Sequence, residues 1–401
     1  MRVLFVNPIG GLGGAEQSLL DALAALKSAP DLELSLLLLD DGPLRKRTEE
    51  LDIPVEVLPL PESLATIGEY GLSTASGLGK ALLGGPDAIG FMPRLSRVLS
   101  ASHADVVHTN GIKAHWLVCA LRRGPTVLHF RDFVSERRLT RRALRPLCAA
   151  GERVAISISE AVDQELAQAF PGLATQIVYD GIDTDSLRPG SSDPALLSRL
   201  AGMSEAPAGT LNVGILGTYA RWKGQDSFLR AAAEVLRAVP NRAIRFFVIG
   251  GPIYRTQSAQ FTEPELATLA GELGIGHAVG FIPFQSEVLS LYRSLDVIVH
   301  ASTQPEPFGR TIVEAMACGR PVVAMREGGA RELFVDGIHA LGADPRSVES
   351  LAASVKRLVT QPELRAALGK RGREHTVARF SRARLANEMR QVYARATRGD
   401  A

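Results

Sequence analysis

The sequence predicts an α/β protein with two doubly wound, parallel-sheet domains. Short β-branched apolar runs alternate with helical segments, a pattern typical of parallel sheets covered by helices. A length of 401 residues exceeds what one hydrophobic core usually organises. The segment 297–329 reads VIVHASTQPEPFGRTIVEAMACGRPVVAMREGG and predicts a strand, a loop, a helix and a second strand. Because ligands of such sheets bind at the loops that follow the strands, this loop is a candidate site.

The first half begins with a strand at 2–7 and a glycine-rich turn into a helix at 17–27. The connection at 59–93 is rich in Gly and Ser, which predicts a long loop with room for a short apolar helix near 78–83. The same alternation predicts further strands at 32–39, 55–58, 105–108, 126–130 and 153–156, and a helix at 111–121.

The glycine-rich turn has two interpretations. Gly11 and Gly13 begin a dinucleotide-binding fingerprint, and Asp40 and Asp41 imitate its ribose-binding acid. Glu16, however, stands where the third glycine of that fingerprint belongs. Alternatively, the glycines bring backbone donors close to a different ligand, or only turn the chain.

A basic helix is predicted within residues 131–145. This helix either presents a solvated face or lies on an anionic membrane. Its basic residues are Arg137, Arg138, Arg141, Arg142 and Arg145.

The second domain is predicted to follow a linker at 189–209 that is rich in Pro, Gly, Ser and Asp. A strand at 211–217 leads through a turn into a helix at 226–239. Lys223 lies near the start of that helix, where its charge adds to the helix amides and suits a diphosphate without a metal. Arg221 lies in the same turn, and the alternative is that both residues are surface cations.

Shorter elements are predicted for the rest of the second half. They are strands at 245–249, 279–283, 297–299 and 321–324, a helix at 286–293, a helix near 331, and helices at 346–360, 362–375 and 381–395.

Two glutamates define the candidate site of this half. Glu306 lies in the loop before a predicted helix, and Glu314 lies inside that apolar helix, where a carboxylate needs a partner. Between them, Phe308, Gly309 and Arg310 form a helix N-terminus that suits an anion. The alternative is a solvated Glu306 and a Glu314 that pairs with a core arginine.

The motif E-P-F-G-x-x-x-x-E-A-M-A-x-G-x-P-V-V at 306–323 resembles the signature of the retaining glycosyltransferases of family 4. The resemblance implies the GT-B fold, in which two Rossmann-like domains face a central cleft. The implied domains are residues 1–190, together with a C-terminal helix at 378–401, and residues 210–377. The family usually has an arginine where this chain has Thr218, and an asparagine where it has Asp180.

The resemblance also implies roles for individual residues. Glu314 would bind the ribose of a sugar nucleotide, and Glu306 would face the donor sugar and the phosphates. The implied donor-binding residues are Gly13, Gly14, Arg221, Lys223, Gly280, Phe281, Glu306, Pro307, Phe308, Gly309, Arg310 and Glu314.

Four residues are predicted to be catalytic: Glu306, Lys223, His129 and Arg131. Family members commonly carry a histidine at the end of the strand predicted at 126–130. His129 and Arg131 both fit that position, since side chains two apart share one face of a strand. A core or capping role for His129 is the alternative.

The predicted function is retaining transfer of a sugar from a UDP- or GDP-sugar to a hydroxyl acceptor, which is a glycan, a glycolipid or a small molecule. No cofactor and no metal are expected. Other interpretations are an NAD-dependent oxidoreductase that uses the first glycine loop and a non-catalytic carbohydrate-binding protein.

Composition limits the partners and the compartment. A net charge of +2 predicts no nucleic-acid partner. The cysteines Cys119, Cys148 and Cys318 have no metal-ligand spacing, and the N-terminus has no signal-peptide pattern. We therefore expect a cytoplasmic protein. Contact with a membrane, if the basic helix at 131–145 lies on one, would be peripheral, at its inner face.

Overall fold

A computed structural model describes residues 1–65, 85–122, 124–134, 138–148, 152–252 and 259–398. The chain divides into two compact units, Met1–Gly181 with Arg382–Ala401, and Ile182–Ser381. Each unit is an α/β structure around a parallel sheet, which confirms the predicted fold class. The first unit ends before residue 190, and the segment 182–209 lies with the second unit.

In the described part of the first unit, seven parallel strands form a sheet in the order β3-β2-β1-β4-β5-β6-β7. The strands are β1 (Arg2–Asn7), β2 (Glu33–Leu38), β3 (Val55–Val57), β4 (Val106–Asn110), β5 (Thr126–Phe130), β6 (Arg153–Ser157) and β7 (Ala174–Ile177). The central strands β4, β5 and β6 are buried along their whole length, as expected for a sheet covered on both faces.

Helices cover this sheet. They are α1 (Gly14–Lys27), α2 (Pro43–Glu49), α3 (Glu62–Ala65), α4 (Gly85–Ala101), α5 (Ile112–Leu121), α6 (Arg138–Cys148) and α7 (Glu160–Ala169). None of the helices in the described residues is both long and apolar enough to cross a bilayer.

Helices α3 and α4 correct the prediction of a loop over 59–93, and the short helix predicted near 78–83 lies outside the described residues. Phe91, Leu95 and Leu99 recur every four residues and are buried, so one face of the segment packs in the core. Pro93 lies inside this helix, although a proline in a helix interior costs about 3 kcal/mol. Burial of the apolar face offsets that cost, and the loop prediction, which rested on Gly and Ser content, did not consider it.

In the described part of the second unit, six parallel strands form a sheet in the order β10-β9-β8-β11-β12-β13. The strands are β8 (Leu211–Leu216), β9 (Ile244–Ile249), β10 (Val279–Ile282), β11 (Val297–His300), β12 (Val322–Met325) and β13 (Leu341–Ala343). The helices of this unit are α8 (Leu196–Leu200), α9 (Gln225–Ala238), α10 (Glu263–Glu272), α11 (Leu289–Ser294), α12 (Arg310–Ala317), α13 (Val348–Thr360) and α14 (Pro362–Phe380).

The last helix, α15 (Arg382–Arg398), belongs to the first unit. Its buried side chains Leu385, Met389, Val392 and Tyr393 join the core formed by β1, β2 and α1. The final segment of the chain thus completes the hydrophobic core that its first residues begin.

Each sheet has one position where the chain reverses its direction of winding. From β1 the chain adds β2 and β3 on one side and then returns to add β4 on the other. From β8 it adds β9 and β10 on one side and then β11 on the other. Loops that leave the carboxyl ends of two such strands diverge, which opens a crevice where ligands of open α/β sheets bind.

Candidate functional site

The loops after β8 and β11 bring Lys223 and Glu306 together at the winding reversal of the second sheet. The Lys223 Nζ atom lies 2.7 Å from Glu306 Oε1 and 3.0 Å from Oε2. The ammonium also lies 4.1 Å from the centre of the Trp222 ring. Lys223 is about a quarter exposed, whereas the Glu306 side chain is 10% exposed. A cation that reaches solvent thus covers a mostly buried carboxylate.

Close backbone packing between the two loops fixes this geometry. Gly224 follows Lys223 with a φ of 75°, and a Cβ atom there would lie 2.0 Å from the carbonyl oxygen of Ala301. Only glycine fits at this position. Thr303 donates its backbone N–H to the carbonyl of Trp222 at 2.7 Å. The turn that carries Lys223 is therefore tied to the loop that carries Glu306.

The Glu306 carboxylate is held from several sides. Ser302 Oγ donates to Oε2 at 2.8 Å, and His300 Nε2 lies 3.2 Å from the same oxygen. Burial raises the pKa of Glu306, but the charge of Lys223 and the hydrogen bond from His300 outweigh burial and hold the pKa well below its usual range. Glu306 is therefore ionised at neutral pH.

The loop after β12 holds the backbone of Glu306. Gly329 donates its N–H to the Glu306 carbonyl at 2.7 Å, and Gly328 forms a parallel bridge with Glu306. A Cβ atom on Gly328 would lie 2.6 Å from the Glu306 carbonyl oxygen. The paired glycines after β12 thus allow a close approach that positions the glutamate.

Helix α12 begins directly after this loop. Gly309 precedes it with a φ of 109°, a conformation that favours glycine. Phe308 is buried, with its ring centre 5.9 Å from that of Phe380, and Pro307 is half-buried. These residues form the start of the helix, where the partial positive charge of the helix dipole lies.

Glu314 has partners within its own unit. Its Oε1 atom accepts from Arg310 Nε at 2.9 Å and lies 2.8 Å from an Arg310 terminal nitrogen. Its Oε2 atom accepts from the Tyr292 hydroxyl at 2.8 Å. A carboxylate has about four acceptor positions, so three donors leave about one for a ligand. The geometry matches the alternative of an arginine partner, and a ribose-binding role stays a prediction.

Arg221 lies beside Lys223 in the chain but contacts different groups. Its guanidinium lies 2.9 Å from Glu265 Oε1 and 4.4 Å from the centre of the Phe261 ring, and the side chain is about half exposed. At Thr218, among the described residues, the buried hydroxyl has no hydrogen-bond partner. A donor-binding role for Arg221 stays a prediction.

Gly280 and Phe281 lie on β10, at the sheet edge away from β11. A Cβ atom on Gly280 would lie 2.8 Å from Ala201 and Met203 side-chain atoms. Phe281 packs partly buried against the hydrophobic core. The observed contacts of both residues are packing contacts, and base binding stays a prediction.

In the first unit, Gly13 and Gly14 form the start of α1. Glu16 accepts from the Gly13 N–H at 3.1 Å, which is the one half of a capping box that a glycine at this position allows. Burial raises the pKa of Glu16, and the hydrogen bonds from backbone N–H groups and the charge of Arg131 only partly offset it. The backbone N–H at the start of α1 is thus already bound by a glutamate of the same helix.

Arg131 lies at the centre of a buried polar network after β5. It donates from Nε to Asn110 Oδ1, and a terminal nitrogen lies 2.5 Å from Asp180 Oδ1. Asp180 also accepts from Ser18 Oγ at 2.8 Å, and Asn110 donates to Asn7 Oδ1 at 2.6 Å. The network joins the carboxyl ends of β1, β4 and β5. A catalytic role for Arg131 stays a prediction.

His129 is fully buried in the same network. Its Nδ1 atom lies 3.1 Å from His108 Nε2 and 3.4 Å from an Arg131 nitrogen, and His108 Nδ1 lies 3.0 Å from the Tyr393 hydroxyl. Burial and the charge of Arg131 hold the pKa values of His108 and His129 well below their usual range, so both rings are neutral. These contacts favour the core role for His129, and its catalytic role stays a prediction.

Two family models match this chain in succession. The model for a glycosyl transferase 4-like domain matches residues 13–179, and the model for glycosyl transferases group 1 matches residues 204–375. Together they cover both α/β units. Each unit thus matches a glycosyl transferase family, and the resemblance to glycosyltransferases is confirmed.

Two curated proteins that resemble this chain are D-inositol 3-phosphate glycosyltransferases. The D-inositol 3-phosphate glycosyltransferase of Saccharomonospora viridis is 32% identical over 61% of this chain and 56% of its own length. That of Corynebacterium jeikeium is 33% identical over 58% and 55%. The chain therefore spans about half the length of the curated relatives it matches.

Solved structures match over nearly the whole chain. HepE of Anabaena, in complex with UDP and glucose, is 25% identical, covers 98% of this chain and 99% of its own, and has a TM-score of 0.80. Sucrose-phosphate synthase of Thermosynechococcus elongatus is 19% identical with a TM-score of 0.73, covers 98% of this chain and 99% of its own, and shows the fold alone. The predicted GT-B fold is confirmed.

Sequence reasoning about this glycosyl transferase missed several site residues. His300 and Ser302 contact the Glu306 carboxylate, and Tyr292 contacts Glu314. The sequence held one signal for His300 and Ser302: His300 ends β11, Ser302 follows in the next loop, and both lie a few residues before Glu306. No group of three or more metal-binding side chains occurs in the part of the chain that the structure describes.

Proposed function

We propose that this protein transfers a sugar from a UDP-sugar to a hydroxyl acceptor, with the donor's diphosphate at Lys223 and its sugar against Glu306. The observation that carries the proposal is the Lys223–Glu306 pair at the winding reversal of the second sheet. A cation there suits phosphate oxygens, and a carboxylate suits sugar hydroxyls. The proteins named above support the substrate class, since HepE was solved with UDP and glucose.

The reaction needs stabilisation of a leaving group. The bond between the anomeric carbon and the diphosphate oxygen breaks, and its electron pair passes to the diphosphate. The acceptor oxygen bonds to the carbon, and its proton passes to the departing diphosphate. Negative charge therefore grows on the diphosphate. The Lys223 ammonium and the positive end of α12 lie where such charge can be stabilised.

Two finer features belong to the same proposal. Retention of the anomeric configuration rests on the resemblance of the motif at 306–323 to retaining enzymes. Independence from a metal rests on Lys223, whose fixed charge performs the neutralisation that a divalent cation performs elsewhere. The acceptor is a hydroxyl compound, in keeping with the inositol phosphate that the relatives' names give.

The oxidoreductase alternative gains no support from the first glycine loop. A bound dinucleotide places its pyrophosphate on the amides of that turn. Here the carboxylate of Glu16 accepts the Gly13 N–H instead. A carboxylate at that position repels a pyrophosphate, so the loop does not suit NAD.

A thermal-shift screen with UDP-, GDP- and ADP-sugars tests the proposal. A ligand at 100 times its dissociation constant adds about 2.7 kcal/mol of stability, which is readily measured. We expect UDP-sugars to raise the melting temperature, and NAD to leave it unchanged. A rise in melting temperature with NAD alone would select the oxidoreductase. A rise with a UDP-sugar, but no release of UDP in an activity assay, would select the carbohydrate-binding protein.

Peripheral contact with an anionic membrane is a second part of the proposal, carried by α6. Leu144 and Cys148 point into the core, whereas Arg142 and Arg145 are exposed. Because the apolar side of α6 is used by the fold, attraction to lipid would be electrostatic, about 1 kcal/mol per arginine. Sedimentation with phosphatidylserine vesicles at low salt, lost at high salt, would support it. Equal sedimentation with neutral vesicles would contradict it. Arg137 lies outside the described residues.

A further inference from the structure

The Glu306 carboxylate has two differently held oxygens. Oε2 accepts from Ser302 Oγ at 2.8 Å and lies 3.2 Å from His300 Nε2 and 3.0 Å from Lys223 Nζ. Oε1 lies 2.7 Å from Lys223 Nζ, its one hydrogen-bond partner among the described residues. One oxygen is thus tied to the protein interior, and the other depends on a side chain that reaches solvent.

The groups that hold Oε2 are rigid. His300 is the last residue of β11 and is 5% exposed, and Ser302 is 2% exposed. Their short side chains leave little freedom at these positions. Lys223, by contrast, is a long side chain that is about a quarter exposed. An anionic ligand can therefore draw Lys223 away without moving His300 or Ser302.

Hydrogen-bond direction follows from the contacts. Ser302 donates its only proton to Glu306, so it cannot donate to the His300 Nε2 atom that lies 3.3 Å away. An ionised carboxylate only accepts, so His300 must carry its proton on Nε2 to bind Glu306. In the described residues, the buried Nδ1 atom of His300 has no hydrogen-bond partner. His300 is then a donor to Oε2 through Nε2.

We infer that His300 and Ser302 are positioning residues that keep the Glu306 carboxylate in place while its Oε1 atom exchanges Lys223 for a hydroxyl of the donor sugar. The inference rests on the proposed function, because the diphosphate of the donor must draw Lys223 away. The carboxylate then keeps two donors on Oε2 and presents Oε1 to the sugar. No covalent step is involved.

The inference predicts different effects on the affinities for two ligands, UDP and a UDP-sugar. UDP carries the diphosphate but no sugar, so its binding depends on Lys223 and not on the position of Oε1. A UDP-sugar depends on both. Loss of the His300 donor should therefore weaken UDP-glucose relative to UDP, by about ten- to a hundredfold for one hydrogen bond to a charged group.

The test compares His300→Leu, which removes the donor, with His300→Gln, whose amide nitrogen replaces Nε2. Dissociation constants for UDP and for UDP-glucose, or for the UDP-sugar of the largest thermal shift, are measured by calorimetry. We expect His300→Leu to keep the UDP affinity and lose the preference for the UDP-sugar, and His300→Gln to regain it. Ser302→Ala should show a smaller loss of the same kind, and it serves if His300→Leu does not fold.

Each outcome decides the inference. Unchanged preference for the UDP-sugar in His300→Leu and Ser302→Ala would overturn it. Equal weakening of both ligands in His300→Leu and His300→Gln would show a purely structural role and would also overturn it. A wild-type protein that binds neither ligand would instead contradict the proposed function, so the two failures are distinguishable.

Discussion

The carboxyl ends of the two sheets both carry an ion pair, but the pairs differ in how they are held. Arg131 and Asp180 of the first unit are 7% and 6% exposed, and each has further partners inside the unit. Lys223 of the second unit is 24% exposed, and its described ion-pair partner is Glu306. A fully enclosed pair fixes structure, whereas a pair with one accessible member can exchange that member for a ligand.

The difference shows that position in the fold is not enough to identify a site. Both pairs lie beside a winding reversal, where ligands of open α/β sheets bind. In the first unit, however, Asn7, Asn110 and Glu16 use their polar groups on one another and on the backbone. Among the described residues of the second unit, by contrast, Oε1 of Glu306 is held by Lys223 alone, a cation that a ligand can replace.

Removal of Arg131 should have the largest effect on stability. In Arg131→Ala, Asp180 stays buried without its cation, a change that costs about 3–5 kcal/mol. The shift of the urea unfolding midpoint measures it. Arg221→Ala is the matched control, since the pair of Arg221 with Glu265 is about half exposed and should leave the midpoint unchanged. Equal midpoints for the two variants would contradict the structural role of the Arg131–Asp180 pair.

Removal of Lys223 should instead affect turnover. We expect Lys223→Ala to lose about 10² to 10³ in kcat, the scale of one preorganised electrostatic contact with a growing charge. Release of UDP from the UDP-sugar, with water or an added hydroxyl compound as acceptor, measures the rate. Arg221→Ala should lose less, because its guanidinium is engaged by Glu265 and Phe261. A fully active Lys223→Ala enzyme would remove the proposed phosphate contact.

Glu306 should make stability depend on acidity. The pKa of folded Glu306 is held well below its usual value near 4.5. Its stabilisation is therefore present above the unfolded pKa and is lost as the pH falls towards the folded pKa. Glu306→Gln should flatten the rise of unfolding free energy between about pH 3 and pH 5. Urea titrations over that range test this, and an unchanged slope would mean that Glu306 titrates as in an unfolded chain.

Glu314→Gln should have the smallest effect. The substitution keeps the volume and one acceptor for Arg310 or Tyr292, so the fold should persist. If the remaining acceptor position binds the ribose, affinity for the donor should fall by about two- to tenfold. Calorimetry with UDP measures the change. Unchanged affinity would assign Glu314 to the structure of α12 alone.

Local patterns predicted much of the second unit because its signals lie close together in the chain. The run 297–325 contains β11, the loop with Glu306, α12 and β12. Periodicity, Gly309 and Pro321 define these elements. The turn after β8 and the position of Lys223 in it were predicted from the same kinds of local signal. The strand β13 (Leu341–Ala343) contains no β-branched residue and was not predicted, whereas the equally short β3 contains two valines and was predicted.

The rest depends on contacts between distant residues. Tyr393 and His108 are 285 residues apart, and Ser18 and Asp180 are 162 apart, so no spacing reveals either contact. Burial of His129 follows from these contacts, which is why its sequence position left two roles open. The contact of the Tyr292 hydroxyl with Glu314 likewise joins residues 22 apart in the chain, and no local pattern predicts it.

A calorimetric titration of UDP in the presence of EDTA tests the central claim most directly. It compares the wild-type protein with Lys223→Met and Arg221→Met, which remove neighbouring charges of equal sign and keep an apolar stem. If Lys223 at the winding reversal of the second sheet binds the diphosphate without a metal, wild type and Arg221→Met bind UDP similarly, and Lys223→Met binds at least about tenfold more weakly. Equal affinity in all three proteins, or binding that appears only when Mg²⁺ replaces EDTA, would contradict the claim.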